Sequence, residues 1–89
     1  MPTTTVTIAA AVGLHARPAA QFVQAVKATG LDVTIAKPGA QPVNAASVLQ
    51  VMALGAKHGD PVELTATGAG AEVALAGLAD LLARDLDAG

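Results

Sequence analysis

Gly13-Leu14-His15-Ala16-Arg17-Pro18-Ala19-Ala20 is the stretch across which the hydrophobic period of the chain changes. Before it, Thr5 to Ala10 alternates. Val6 and Ile8 face one way and Thr5 and Thr7 the other, and period two with β-branched residues predicts a half-buried strand. After it, Ala19, Phe22, Val23 and Val26 recur at i, i+3, i+4 and i+7, one face of an amphipathic helix, with Gln21, Gln24 and Lys27 off that face. Ala11, Val12 and Gly13 form a short exit loop between the two. Pro18 suits the first helical turn, where a missing N–H has no intrahelical partner to lose. Gly30, after Ala28 and Thr29, is placed to stop the helix. The junction therefore holds one imidazole, with one guanidinium two residues on.

Further along, Leu31, Val33 and Ile35 alternate with Asp32, Thr34 and Ala36, a second strand. Lys37-Pro38-Gly39-Ala40 places Pro and Gly at the central positions of a type II turn. Gln41-Pro42-Val43-Asn44 returns as a short third strand, whose proline favours an edge. Ser47 caps a short helix that runs through Leu54 and is ended by Gly55. That helix is apolar on more than one side: Val48, Val51, Met52 and Leu54, with Leu49 on another face and only Gln50 clearly polar. One sheet cannot bury all of these. The surplus reads either as core with some spill-over or as a partner-docking patch. Lys57-His58-Gly59-Asp60-Pro61 is a loop. Val62, Leu64 and Ala66 alternate with Glu63 and Thr65, a fourth strand, and Thr67 to Gly70 turns. Ala71, Leu75, Leu78 and Leu82 stripe a final helix, widened by Ala74 and Ala79. Glu72 and Arg84 at its ends complement its dipole. Gly77 costs helix stability and is expected to serve close packing. Asp85 to Gly89 is expected to fray. The order β-α-β-β-α-β-α predicts an α+β fold, a four-stranded antiparallel sheet with three helices on one face. No internal repeat, linker or second domain is visible.

Eighty-nine residues suffice for one core, burying about 60–70% of the unfolded surface. The chain is 53% hydrophobic but 1% aromatic, so that core is aliphatic, with Phe22 its only benzene ring. Charged residues make up 13%, about half the usual share, which leaves a surface of Ala, Thr, Gly and Gln. A net charge of −2, with no basic stripe, argues against a nucleic-acid partner. The absence of cysteine excludes thiol chemistry and is consistent with a cytoplasmic protein. Met1-Pro2-Thr3-Thr4-Thr5 lacks the features of a secretory signal. No apolar run reaches the roughly 20 residues that span a bilayer, so no membrane insertion is expected. Two histidines, widely spaced and without cysteine, make no zinc site, and His58 is read as solvent-facing.

The chemistry concentrates at the first junction. Neutral imidazole is a good nucleophile, and a good leaving group once phosphorylated. The first N–H groups of the helix behind His15 lack intrahelical partners and form an anion site. Arg17 adds a planar, permanently charged donor set matched to phosphate oxygens. The same positive surroundings disfavour the imidazolium, so His15 is expected to stay neutral and nucleophilic near neutral pH. A lone histidine at a helix start is ordinarily a surface residue, and a lone arginine adds little. The contiguous string is far more specific.

Gly13-Leu14-His15-Ala16-Arg17-Pro18-Ala19 resembles the active-site signature of the HPr family, the histidine phosphocarriers of the bacterial phosphoenolpyruvate:sugar phosphotransferase system. Val43-Asn44-Ala45-Ala46-Ser47-Val48-Leu49, followed by Met52-Ala53-Leu54-Gly55, is similar to the second family signature. Gly59-Asp60 before the fourth strand also fits. The resemblance thus covers nearly the whole chain and implies one HPr-like domain over residues 1–89 with the family's open-faced β-sandwich.

It implies, further, a carrier rather than an enzyme that turns over alone, using no metal or organic cofactor. His15 would accept a phosphoryl group on Nδ1 from phosphorylated Enzyme I and pass it to the IIA domains of sugar-specific Enzyme II complexes. Arg17 and the backbone amides of Ala16 and Arg17 would hold the phosphate. Ala20, Val48, Leu49 and Met52 would form the docking patch, with Gln24 and Lys27 as a polar rim, and a monomer is expected because that patch must stay free. Met52 suits a surface that fits several partners. Ser47 aligns with the regulatory serine that HPr kinase/phosphorylase modifies in many Gram-positive members. This chain, however, has Ala46 where many of those carry a basic residue and Gln50 where they carry glycine, and Ser47 is equally an ordinary helix cap. Two other readings stay open at this stage: an HPr-like carrier in a regulatory, nitrogen-related or dihydroxyacetone kinase relay, and a non-catalytic α/β ligand-sensing or dimerising module. The second leaves the His-x-Arg-Pro string unexplained.

Overall fold

The computed structural model describes residues 2–9 and 16–84. The expected exit loop 11–13, His15 and the expected fraying of 85–89 lie outside the described residues. The elements are β1 (Thr3–Thr7), α1 (Ala16–Thr29), β2 (Asp32–Ala36), β3 (Val43–Asn44), α2 (Val48–Ala53), β4 (Pro61–Thr67) and α3 (Ala71–Ala83), in the order the periodicity predicts. The strands form one antiparallel sheet in the order β1-β4-β2-β3. The last strand in sequence thus lies between β1 and β2, which run parallel to each other without touching. Its register sets Thr5 opposite Glu63 on one side and Thr34 opposite Thr65 on the other.

β4 can occupy that position because it alternates along its whole length. Val62, Leu64 and Ala66 are fully buried, while Glu63 and Thr67 are exposed. The same inner face carries Ile8, Val33 and Ile35. Against it lie the predicted helical stripes, Ala19, Phe22, Val23 and Val26 of α1 and Ala71, Leu75, Leu78 and Leu82 of α3, all in one cluster. α3 packs on β1 and β4, and α1 packs on α2 and α3. The outer face is polar: Thr3, Thr5, Thr7 and Asp32 are exposed, and the hydroxyls of Thr3 and Thr65 lie 3.1 Å apart across the strands. The result is an open-faced sandwich. Phe22, the one benzene ring, is completely buried, which stabilises the fold by about 2–3 kcal/mol.

The local signals hold at most boundaries. Gly39 takes φ +80°, and the Ala40 amide donates to the Lys37 carbonyl at 2.9 Å, as a type II turn requires. Gly30 ends α1 at φ +69°, helped by Thr29, whose hydroxyl donates to the Val26 carbonyl and accepts from the Leu31 amide. Ser47 caps α2, accepting from the Gln50 amide at 3.3 Å. β3 is an edge strand as expected.

Some details differ from the sequence reading. β1 spans Thr3–Thr7 rather than Thr5–Ala10, because Thr3 and Thr4 find partners in Thr65 and Leu64. β3 is two residues long rather than four, since Pro42 has no amide to pair. Ala36, expected to face outward, is buried; one neighbouring side chain covers a methyl group, so period two carries little weight at alanine. Gly77 does not serve close packing. A Cβ placed there meets nothing within 4 Å, because Gly77 lines an open groove between α1 and α3, along with Ala25, Ala28 and Leu81.

Candidate functional site

The site expected around His15 begins, among the described residues, at the N-terminus of α1. Pro18, fully buried, and Ala19 lock the first turn onto the core, and Phe22, Val23 and Val26 anchor the rest. This leaves Arg17 exposed on the second helical residue. No acidic side chain lies in the first turn, and Arg17 makes no ion pair or hydrogen bond among the described residues. No described carboxylate therefore competes with an anion for its guanidinium or for the positive end of α1. His15 itself, and the side chain of Ala16, lie outside what the structure describes.

Arg17, Ala20, Gln24 and Lys27 follow one another at i, i+3, i+7 and i+10 of α1. At 3.6 residues per turn they fall within about 80° of each other around the helix axis, one stripe running down from the anion end. Ala20 is half-buried; Gln24 and Lys27 are exposed. The neighbouring helix, α2, packs on α1 and holds the other expected patch residues. There the apolar surplus divides. Val51 is completely buried, Val48 and Met52 are half-buried against the core, and Leu49 is 81% exposed. Of the expected patch residues on α2, Val48 and Met52 are thus partly covered by the core and Leu49 stands out into solvent. Ser47, half-buried at the N-terminus of α2, has its hydroxyl oxygen engaged by the Gln50 amide. Gln50 does a second job: its Oε1 accepts from the Asn44 amide at 2.9 Å, while Asn44 Oδ1 accepts from the Ala46 amide. Gln50 and Asn44 thereby fix the entry to α2.

One contact near the junction was invisible in the sequence. His58 is exposed, as expected, yet its Nδ1 lies 3.2 Å from the carbonyl of Ala9, 49 residues away. No local pattern signals a contact over that separation; only the pairing of β1 with β4 brings it about. Among the described residues no three His, Cys, Asp or Glu side chains gather into a metal-binding group, and no helix is long and apolar enough to cross a membrane.

A family model described as the PTS HPr component phosphorylation site matches residues 2–84, α1 and α2 included. The chain belongs to the HPr family. It is 55% identical over 75 residues to the phosphocarrier protein HPr of Streptomyces coelicolor, covering 84% of this chain and 81% of that one. It is 39% identical over 79 residues to the multiphosphoryl transfer protein of Escherichia coli O157:H7, where the match covers 86% of this chain but 21% of that longer protein. Among solved structures, the HPr-C-His crystal structure from Thermoanaerobacter tengcongensis superposes with a TM-score of 0.89 at 37% identity, covering 98% of this chain and 97% of the other. The open-faced HPr fold read from the β-α-β-β-α-β-α order is thus the fold of the family's known structures.

Proposed function

We propose that this HPr-family phosphocarrier takes a phosphoryl group onto His15 from phosphorylated Enzyme I and delivers it to IIA domains of sugar-specific Enzyme II complexes. The observation that carries the reading is the conjunction at one helix end. His15 immediately precedes α1, in a stretch matched by a model of a phosphorylation site, and α1 presents an exposed Arg17 with no acidic residue in its first turn. In the transfer, the lone pair of the neutral His15 Nδ1 attacks the phosphorus of the phosphohistidine on Enzyme I. The N–P bond to Enzyme I breaks as the new one forms, and the departing imidazole keeps the electron pair. The reverse geometry serves the IIA histidine. Arg17 and the amides of Ala16 and Arg17 hold the phosphoryl oxygens throughout. No cofactor or metal enters the balance on this chain.

The docking surface in this reading is the α1 stripe, Ala20 with Gln24 and Lys27, together with Val48, Leu49 and Met52 of α2. A small apolar centre with a polar rim fits transient docking to partners larger than the carrier. The carrier works in the cytoplasm as a monomer with residues 1–89 forming one domain, so that each face of the patch is free in turn. Ser47 is a candidate regulatory site on the same surface: a phosphate on its oxygen would displace the Gln50 cap and put negative charge beside the patch. The test is incubation with phosphoenolpyruvate, Enzyme I and Mg2+, followed by addition of a purified IIA domain. Phosphate appearing on IIA only when this chain is present supports the relay. Phosphate that stays on Enzyme I overturns it.

A further inference from the structure

Ile8 and Ala9 are the last described residues before the segment that ends at His15, and they are fastened from two sides. The Ile8 amide donates to the Asp60 carbonyl at 2.9 Å, and the Gly59 amide donates to the Ile8 carbonyl at 2.9 Å. The Ala9 amide donates to the Leu82 carbonyl of α3 at 3.1 Å. The remaining polar group of this dipeptide, the Ala9 carbonyl, meets His58 Nδ1 at 3.2 Å. A carbonyl only accepts, so the contact puts the proton on Nδ1. The loop that supplies these partners is itself braced. Asp60 Oδ2 accepts from the Lys57 amide at 2.9 Å and lies 3.7 Å from the Lys37 ammonium, and the Asp60 amide donates to the Lys57 carbonyl. Gly59 takes φ +87°, a backbone state that glycine adopts freely, which lets the loop fold back on Ile8.

We infer that His58, held in the 57–60 loop, is a positioning residue for the phosphoryl-carrying segment: its hydrogen bond to the Ala9 carbonyl fixes where the chain leaves β1 on its way to His15. The inference rests on the carrier reading of His15. Chain passes from Ala9 to Ala16 in seven steps, and Pro18 and Ala19 pin the far end into the core. Fixing both ends narrows the places His15 can occupy relative to the amides of α1 that receive its phosphate. Transfer between two histidines needs an in-line approach, and small misplacements slow such steps. His58 touches neither the phosphate nor either partner's histidine in this account; it acts through Ala9.

The experiment compares wild type, His58→Ala and His58→Asn. Asparagine carries an N–H donor about where Nδ1 lies and can restore the bond. Single-turnover transfer from phosphorylated Enzyme I is measured against its concentration, with melting temperature and amide hydrogen exchange at residues 9–13 on the same samples. The tether predicts that His58→Ala lowers the maximal transfer rate about two- to tenfold, the worth of one hydrogen bond. The concentration dependence on Enzyme I stays unchanged, because the docking patch is untouched. It also predicts faster exchange at 9–13, a melting temperature lowered by no more than the few degrees that one hydrogen bond is worth, and recovery of rate, exchange and melting temperature in His58→Asn. A wild-type rate with wild-type exchange in His58→Ala overturns the inference, as does a loss that His58→Asn fails to restore. If wild type takes up no phosphate at all, the carrier reading itself fails. The tether is then decided by the exchange data, where no acceleration in His58→Ala overturns it.

Discussion

Arg17 is the described side chain nearest in sequence to His15 that can grip an anion, and among the described residues no carboxylate pairs with it. In the proposed relay, replacing it with alanine removes the charged hydrogen bonds that would hold the phosphoryl group, and its exposure places the loss at the lower end of their range. Arg17→Ala is predicted to slow transfer from phosphorylated Enzyme I about tenfold in rapid-quench measurements, with Arg17→Lys intermediate because it keeps the charge but not the fork. Equal rates would remove Arg17 from the site. Ser47 separates two roles that one residue type hides. As a cap accepting from Gln50 it contributes about 0.5–1 kcal/mol, so Ser47→Ala lowers the melting temperature. Aspartate caps as well as serine does, so Ser47→Asp keeps the stability while adding negative charge at the patch. It is predicted to melt with wild type yet to receive phosphate from Enzyme I more slowly. Transfer at the wild-type rate in Ser47→Asp would contradict the placement of Ser47 beside the docking surface.

At the scale of elements, α2 and α3 show opposite departures from an ideal amphipathic helix. α2 spans six residues, too few to be stable alone, and depends on Val51, its single fully buried side chain, and on the Asn44–Gln50 brace. Leu49 adds nothing to that packing at 81% exposure. Leu49→Ser is therefore predicted to leave the melting temperature unchanged while raising the Enzyme I concentration needed for half-maximal transfer about tenfold, the weight of one apolar anchor. A variant that docks normally would return Leu49 to the class of incidental surface residues. In α3, Gly77 sits over an open groove with no positive φ and no neighbour to crowd a methyl group. Gly77→Ala is predicted to stabilise the fold by about 0.5–1 kcal/mol. Calorimetry should show this as a rise in Tm of about 4 °C, and a fall would mean that the groove closes on Gly77 in solution.

For the whole molecule, the fold was legible because few sequence signals conflict. The change of period across residues 13–20, the Pro38-Gly39 turn, the Ser47 cap and the stripes of α1 and α3 each specify one element, and short connections leave few ways to assemble them. Illegible were the features that depend on distant partners: β4 lying between β1 and β2, the two extra residues of β1 that β4 recruits, and His58 reaching Ala9 across 49 positions. The expected site was read from a string alone, because His15 lies outside the described residues. His15-Ala16-Arg17-Pro18 pointed to the chemistry, whereas the division of α2 into buried Val51, half-buried Val48 and Met52, and projecting Leu49 required the packed core. Whether His15 carries the phosphoryl group is decided by intact-mass measurement of the protein after incubation with phosphoenolpyruvate, Enzyme I and Mg2+, with His15→Ala treated in parallel. The expected result is one acid-labile phosphoryl adduct on the wild-type chain and none on His15→Ala. An adduct that survives in His15→Ala, or no adduct on wild type with a competent Enzyme I, would contradict it.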